Sequence, residues 1–200
     1  EMCIRDRNHP LNSMCKNLLQ ISILILLVLS SNFSIASTEV SKIIKNNNVN
    51  VIFLRHAIAP GYGDPDNFKL GDCNTQRNLS FEGREQAKMI GDYFRTNEIK
   101  FSEILSSEWC RCIDTLANMG IGKWIEFEGL NSFFQNFSDK KQVTKILLKK
   151  LDTIKDNELI LMVTHQVVIS HITGISPPSG GIVLYSTFTG KSKKISINYK

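Results

Sequence analysis

The apolar run Val51, Ile52, Phe53 and Leu54 does not alternate with polar residues, which is the pattern of a short strand covered on both faces of a parallel sheet. A second such run over 159–164 is the most apolar in the chain and takes a central position in the same sheet. Strands over 101–106 and 124–127 complete the parallel set, and strands over 182–185 and 194–199 read as antiparallel and near an edge. Between them the period changes to that of helices. Ala87, Ile90 and Phe94 share one face of a helix over 81–95, with Ser80 as N-cap and Glu82 and Glu85 in its first turns. A helix follows over 109–119. Another begins at Asp139, where Val143, Ile146, Leu147, Leu151 and Ile154 form the buried stripe and five lysines the wet face. A short helix is expected over 169–173. Strands alternating with helices predict a three-layer α/β/α sandwich with a mostly parallel central sheet.

The segments between these elements carry their own signals. Residues 41–50 are polar and read as part of a linker over 37–50, ahead of a domain over 51–200. The stretch 59–78, rich in Gly, Pro, Asp and Asn, reads as a long loop, and loops of that length in a compact domain are usually functional. Before the linker, Lys16 precedes an apolar stretch over 18–29 that is too short to span a bilayer. Small residues at Ser34 and Ala36 complete the pattern of a secretory signal cleaved after Ala36, so a periplasmic or secreted protein without stable membrane association is expected. Met14 is the natural start for such a signal, and residues 1–13 carry no signal of their own.

A chain of 200 residues suffices for one domain, and the formal charge of +5 falls by one on that cleavage. This mild excess suits anionic substrates but is too small and scattered for nucleic acid. Beyond Ala36 the cysteines are Cys73, Cys110 and Cys112, an odd number that permits one bridge at most. On a helix Cys110 and Cys112 point in different directions, so only one of them can reach Cys73; three unpaired thiols are the other reading. No spacing resembles a zinc site, and neither a metal nor a cofactor is expected.

The chemistry lies at the strand ends. Arg55 and His56 follow the first strand, Arg111 follows the strand over 101–106 through Ser106 and Ser107, and His165 follows the most apolar strand. Open α/β sheets bind ligands at such carboxyl ends. Guanidinium forks match two phosphate oxygens at once, and a neutral imidazole attacks phosphorus to give a phosphoramidate that water can cleave. Arg55 and Arg111 would clamp a phosphoryl group, His56 would attack it, and His165 would donate to its equatorial oxygens.

Arg55-His56-Ala57 after a strand, Ser106-Ser107 through Arg111 to Thr115, and Thr164-His165 after a late strand together resemble the histidine phosphatase superfamily. The resemblance covers roughly residues 50 to 190 and implies the phosphoglycerate-mutase-like fold, a phosphohistidine intermediate and no metal. It implies phosphorylated small molecules or phosphoproteins as substrates. It also implies that Thr115, Ser106 and Ser107 help to set the second arginine. One branch of the family carries its leaving-group acid directly after the late histidine, where this chain has Gln166. The other draws a glutamate from the region after the third strand, where Glu126 and Glu128 stand, Glu128 being preferred; Asp64, Asp66 and Asp72 are alternatives from the long loop. Asp72 and Arg77 are expected to line the substrate side of the pocket, and His171 to pack or face solvent. A mutase or phosphotransferase of the same fold, and a module that binds phosphorylated ligands without turning them over, are the competing functions.

Overall fold

A computed structural model describes residues 39–196. The expected signal segment and residues 197–200 lie outside the described residues. Six strands form one sheet: β1 Val51–Arg55, β2 Glu103–Ser106, β3 Ile125–Glu126, β4 Ile160–Thr164, β5 Ile182–Tyr185 and β6 Ser192–Ile195. Their order is β3-β2-β4-β1-β5-β6. β1 to β4 are mutually parallel, and β5 and β6 are antiparallel additions beside β1. The helices are α1 Glu39–Asn46, α2 Phe81–Thr96, α3 Cys110–Met119, α4 Lys140–Leu151 and α5 Gln166–Thr173.

The period of two along β1 sorts its side chains into two cores. Ile52 and Leu54 join Leu161, Val163, Ala87, Ile90, Phe94, Leu116 and Met119 on the face covered by α2 and α3. Val51 and Phe53 join Ile160, Met162, Leu147, Leu151, Val168 and Ile169 on the face covered by α4 and α5. The three-layer sandwich expected from the sequence is therefore present. Gly91 lets α2 and α3 touch backbone to backbone, since a Cβ there would stand 2.0 Å from the Met119 carbonyl oxygen. Ser80 caps α2 as expected, accepting from the Gly83 N–H at 3.1 Å.

Three local readings need correction. The stretch expected to be a linker holds α1, in which Val40 is buried and Ile43 and Ile44 pack on the first core; their i, i+3, i+4 spacing is helical despite the polar surroundings. The late helix starts at Gln166, three residues early, because Val167, Val168 and Ile169 read as apolar continuation when they belong to a helix turning straight off β4. The last strand, expected over 194–199, begins two residues earlier and spans Ser192–Ile195, residues 197–199 lying outside the described residues.

Cys73 is bridged to Cys110, tying the long loop to the first residue of α3, and among the described residues Cys112 is the free cysteine, buried. With the partners 37 positions apart in sequence, the cross-link removes about 3–4 kcal/mol of unfolded-chain entropy.

Candidate active site

Registers align the tips of three parallel strands: Arg55 lies beside Thr164, and Ser106 beside Val163. The backbone pairing continues one residue further, with His56 N–H donating to the Thr164 carbonyl and Ser107 N–H to the Val163 carbonyl, each at 2.9 Å. Arg55 and His56, Ser107 and His165 are thus delivered to one edge of the sheet, and α3 brings Arg111 over it. They surround a cavity of about 280 Å³ whose wall includes Arg55, His56, Arg77, Arg111, His165 and Gln166.

His56 is buried, 2% exposed, and its Nδ1 stands 2.8 Å from the carbonyl oxygen of Ala57. A carbonyl only accepts, so Nδ1 carries the proton and Nε2 keeps its lone pair. Burial, and after it the positive charge of Arg111, hold the imidazole well below its ordinary pKa, so it is neutral at pH 7. This is the protonation state a nucleophile needs.

Arg111 is fixed by a buried ion pair, its Nη1 donating to Asp64 Oδ1 at 2.7 Å. Asp64 also accepts from Trp109 Nε1–H at 3.1 Å and from Arg77 N–H at 3.0 Å. Burial raises the Asp64 pKa, but hydrogen bonding and charge from Arg111 outweigh it, and the carboxyl is held below its usual range. Arg55 donates from Nη1 to the Pro177 carbonyl at 3.0 Å. Arg77 donates from Nε to the Gly63 carbonyl at 2.8 Å and from Nη1 to the Ala59 carbonyl, so it braces the loop while lining the cavity. Three guanidiniums with a single carboxylate leave two uncompensated positive charges among the described residues around the cavity. The Nε–H groups of Arg55 and Arg111 are buried without a partner, a costly state unless an anion is to satisfy them.

His165 touches Arg111 through Nδ1, 3.3 Å from Nη2, and Ser107 through Nε2, 2.9 Å from Oγ. Its ring centroid is 5.5 Å from that of His56. Burial and the Arg111 charge lower its pKa well below the ordinary value too. Thr115 Oγ1 donates to the Arg111 carbonyl at 2.6 Å and accepts from Ala57 N–H at 3.0 Å, so it joins the helix carrying Arg111 to the backbone just after His56. Ser107 serves His165 rather than the arginine, and Ser106 Oγ donates to the Ser107 carbonyl at 2.8 Å.

The expected acids are elsewhere. Glu128 is exposed on a single 3-10 turn, accepts from Gln142 Nε2 at 2.6 Å and does not line the cavity; the turn itself meets the tip of β4, where the Leu130 carbonyl accepts from Thr164 Oγ1 at 2.6 Å, but the Glu128 side chain is directed to α4. Glu126 is exposed on β3, and Asp66 is exposed in the loop. Asp72 caps the 3-10 turn Cys73–Thr75 by accepting from Asn74 N–H at 3.1 Å and is not among the residues lining this cavity. Asp64 is committed to Arg111. Among the described residues, no carboxylate lines this cavity. His171 is exposed and meets Phe133 edge-on, with ring centroids 5.9 Å apart, in keeping with the packing or surface place expected of it.

Sequence reasoning placed the long loop with Tyr62 at the rim but missed the partner of Tyr62 there and the supports. Tyr62, 89% exposed, meets Phe134 edge-on at 5.1 Å across the mouth. Gln135 clamps the loop, accepting from Asp64 N–H at 2.7 Å and donating to the Asp64 carbonyl at 3.2 Å. Asn131 supports Ser107. The signal in the chain that could have found them is the polar cluster Asn131, Ser132 and Gln135 among apolar residues.

Two buried neutral histidines make the anion-free protein acid-sensitive. Their folded pKa values lie below the unfolded value, so the unfolded chain binds more protons once the pH falls under about 6.5. Stability is expected to fall by about 1.4 kcal/mol per pH unit for each histidine below that point. Urea titrations at pH 7.5, 6.5 and 5.5 read this slope, and the His56→Ala, His165→Gln double substitution should flatten it.

No family model matches the chain, and no curated protein matches it. Solved structures do. An open reading frame product of Mycobacterium tuberculosis, Rv3214, superimposes with a TM-score of 0.52 at 14% identity, over 74% of this chain and 95% of that one. A mutant of the Thermus thermophilus protein TTHB049 gives 0.52 at 13% identity, over 74% and 99%. The protein histidine phosphatase SixA, complexed with tungstate, gives 0.49 at 15% identity, over 73% and 94%. At such identities the likeness concerns the fold, which is the phosphoglycerate-mutase-like sandwich that the strand-end motifs imply.

Proposed function

We propose that this protein is a phosphatase in which His56 Nε2 attacks phosphorus, Arg55 and Arg111 hold the phosphoryl oxygens, and water then cleaves the phosphohistidine. The observation that carries this reading is the pairing of a lone pair fixed on His56 Nε2 with the guanidiniums of Arg55 and Arg111 on the wall of the same cavity. Cationic donors placed where phosphoryl charge develops are the main requirement of such transfer. Arg77, on the same wall, would meet whatever negative charge lies beyond the phosphoryl group.

The wall without a carboxylate narrows the substrate. A poor alkoxide leaving group needs a proton donor worth about 10²- to 10⁴-fold. Phosphohistidine and aryl phosphates depart without one, and we place the natural substrate among phosphoramidates or other phosphates with good leaving groups. The Cys73–Cys110 bridge is in keeping with an oxidising compartment, which supports export by the N-terminal segment.

The test compares p-nitrophenyl phosphate and a phosphohistidine peptide with glycerol phosphate, all in EDTA. Turnover of the first two is expected to exceed that of the third by at least about 10²-fold in kcat. Equal rates would mean that a proton donor has been overlooked, and no turnover of any substrate would leave a phosphate-binding module.

A further inference from the structure

Every proton around His165 can be assigned, and the assignment decides how the pocket takes charge. Asn131 is oriented by Glu108: its Oδ1 accepts from Glu108 N–H at 2.9 Å, and its Nδ2 donates to Glu108 Oε2 at 2.5 Å. Oδ1 can therefore only accept from Ser107, whose hydroxyl donates to it at 3.1 Å. With its one proton committed, Ser107 Oγ must accept at its other contacts, from Trp109 N–H at 3.4 Å and from His165 Nε2 at 2.9 Å. Nε2 thus carries the proton of the neutral ring. Nδ1 faces the Arg111 guanidinium, which only donates, and keeps a lone pair.

This tautomer is the reverse of the one a neutral His165 would need in order to donate to a phosphoryl oxygen from Nδ1. Exchange through Ser107 is blocked, because that path from Nε2 ends at a carboxamide that takes no proton. Nor is a proton held at Nδ1 beforehand: burial disfavours it, Arg111, His56, Arg77 and Arg55 act in the same direction, and the thiol of Cys112, pushed up to about 12 by burial, stays neutral beside Nε2.

We infer that the pocket binds a phosphoryl group together with one proton, held between a phosphoryl oxygen and Nδ1 of His165, and that Ser107, positioned by Asn131, enforces this by locking the other ring proton on Nε2. The inference rests on the phosphatase reading for its ligand but not for its tautomer. The proton balance is simple: a monoanionic ester brings its own proton, which shifts from oxygen to Nδ1 while the phosphoryl group becomes the dianion, and total charge is unchanged. His165 then donates as an imidazolium with both N–H groups satisfied, one on phosphate and one on Ser107. Ser107 is a positioning residue and His165 the group that touches substrate.

Sulfate is the suitable probe, since it is a tetrahedral dianion without a proton of its own near neutral pH. Two-bond ¹H–¹⁵N correlation spectra of the whole protein at pH 7.5 distinguish the ring forms. Without sulfate, His165 is expected as the neutral Nε2–H tautomer; at saturating sulfate, both of its nitrogens are expected to be protonated. In Ser107→Ala the lock is gone, and the sulfate complex should show the neutral Nδ1–H form, whereas Ser107→Thr should restore the doubly protonated ring. Turnover should follow, with kcat for p-nitrophenyl phosphate about tenfold lower in Ser107→Ala, restored by Thr. An Nδ1–H tautomer in sulfate-free wild type, or a singly protonated His165 in its sulfate complex, overturns the inference while leaving phosphatase activity in place. Failure to bind sulfate at all, together with no turnover of p-nitrophenyl phosphate, would remove the phosphate pocket and the inference with it.

Discussion

Alanine at position 56 is expected to lower kcat for p-nitrophenyl phosphate by about 10³-fold or more, with the fold intact. The size follows from what the side chain supplies. Nε2 is the neutral, unprotonated nitrogen that the backbone pins in place at the strand tips, through the contact of Nδ1 with the Ala57 carbonyl. No other described cavity group replaces it: the guanidiniums are never nucleophiles at pH 7, and His165 is turned toward Arg111 and Ser107. The imidazole removed is buried, so a cavity penalty accompanies its loss, and the acid sensitivity that goes with it lies below about pH 6.5 and gives no offset at pH 7.5. Circular dichroism should keep its shape at pH 7.5 and the urea midpoint should fall only by the cavity cost, while activity disappears. A residual rate within tenfold of wild type would mean that the phosphoryl group is transferred directly to water.

The second large effect belongs to Asp64. Alanine there leaves the Arg111 guanidinium buried with its ion pair gone, and also removes the acceptor of Trp109 Nε1 and of Arg77 N–H. Breaking a buried pair by deleting one partner costs about 3–5 kcal/mol, most of it the stranded charge. Urea denaturation at pH 7.5 measures that loss. Asp64→Asn keeps an acceptor for these donors but loses the charge, and should fall between wild type and alanine. Binding of a phosphate-like anion should partly rescue Asp64→Ala, because the anion supplies the missing countercharge at Arg111. The carboxylate contributes stability fully above about pH 3.9, and the contribution fades as the pH falls through its depressed folded pKa.

Much of this site is legible in the amino-acid sequence, for a definite reason. Arg55, His56 and His165 each stand at or just beyond the end of an apolar run, with Arg111 one helical turn further on, and parallel strands in register bring such ends together whatever the loops do. The alternation of strand and helix patterns likewise dictates the layers, because burial on both faces of β1 and β4 leaves little other choice. What escapes is whatever depends on chain returning from far away. Asp64 meets Arg111 across 47 residues, and in a loop full of Asp and Gly nothing marks it off from Asp66 or Asp72. Asn131 reaches Ser107 across 24 residues from a segment with no period at all. Glu128 is favoured by its place after the third strand, but in the turn that follows β3 it is Leu130 and Asn131 that meet the strand tips, while the Glu128 side chain is held on α4 by Gln142. The segment before β1 hides its helix because polar residues outnumber the three apolar ones that make α1 pack.

The disulfide illustrates the same boundary. The sequence allows one bridge from Cys73 to either Cys110 or Cys112. The structure selects Cys110, which begins α3 beside the loop, whose Gln76 side chain accepts from Cys110 N–H at 2.9 Å; Cys112 is turned inward against His165.

The central claim is a covalent phosphohistidine on His56, and the most direct measurement is to trap it. Wild-type protein is mixed with p-nitrophenyl phosphate, quenched in base within milliseconds, digested and analysed by mass spectrometry. The account predicts one added phosphoryl group on the peptide containing His56, stable in alkali, lost in acid, and absent from His56→Ala. A phosphoryl group on another residue, or turnover with no phosphorylated peptide at any quench time, would contradict it.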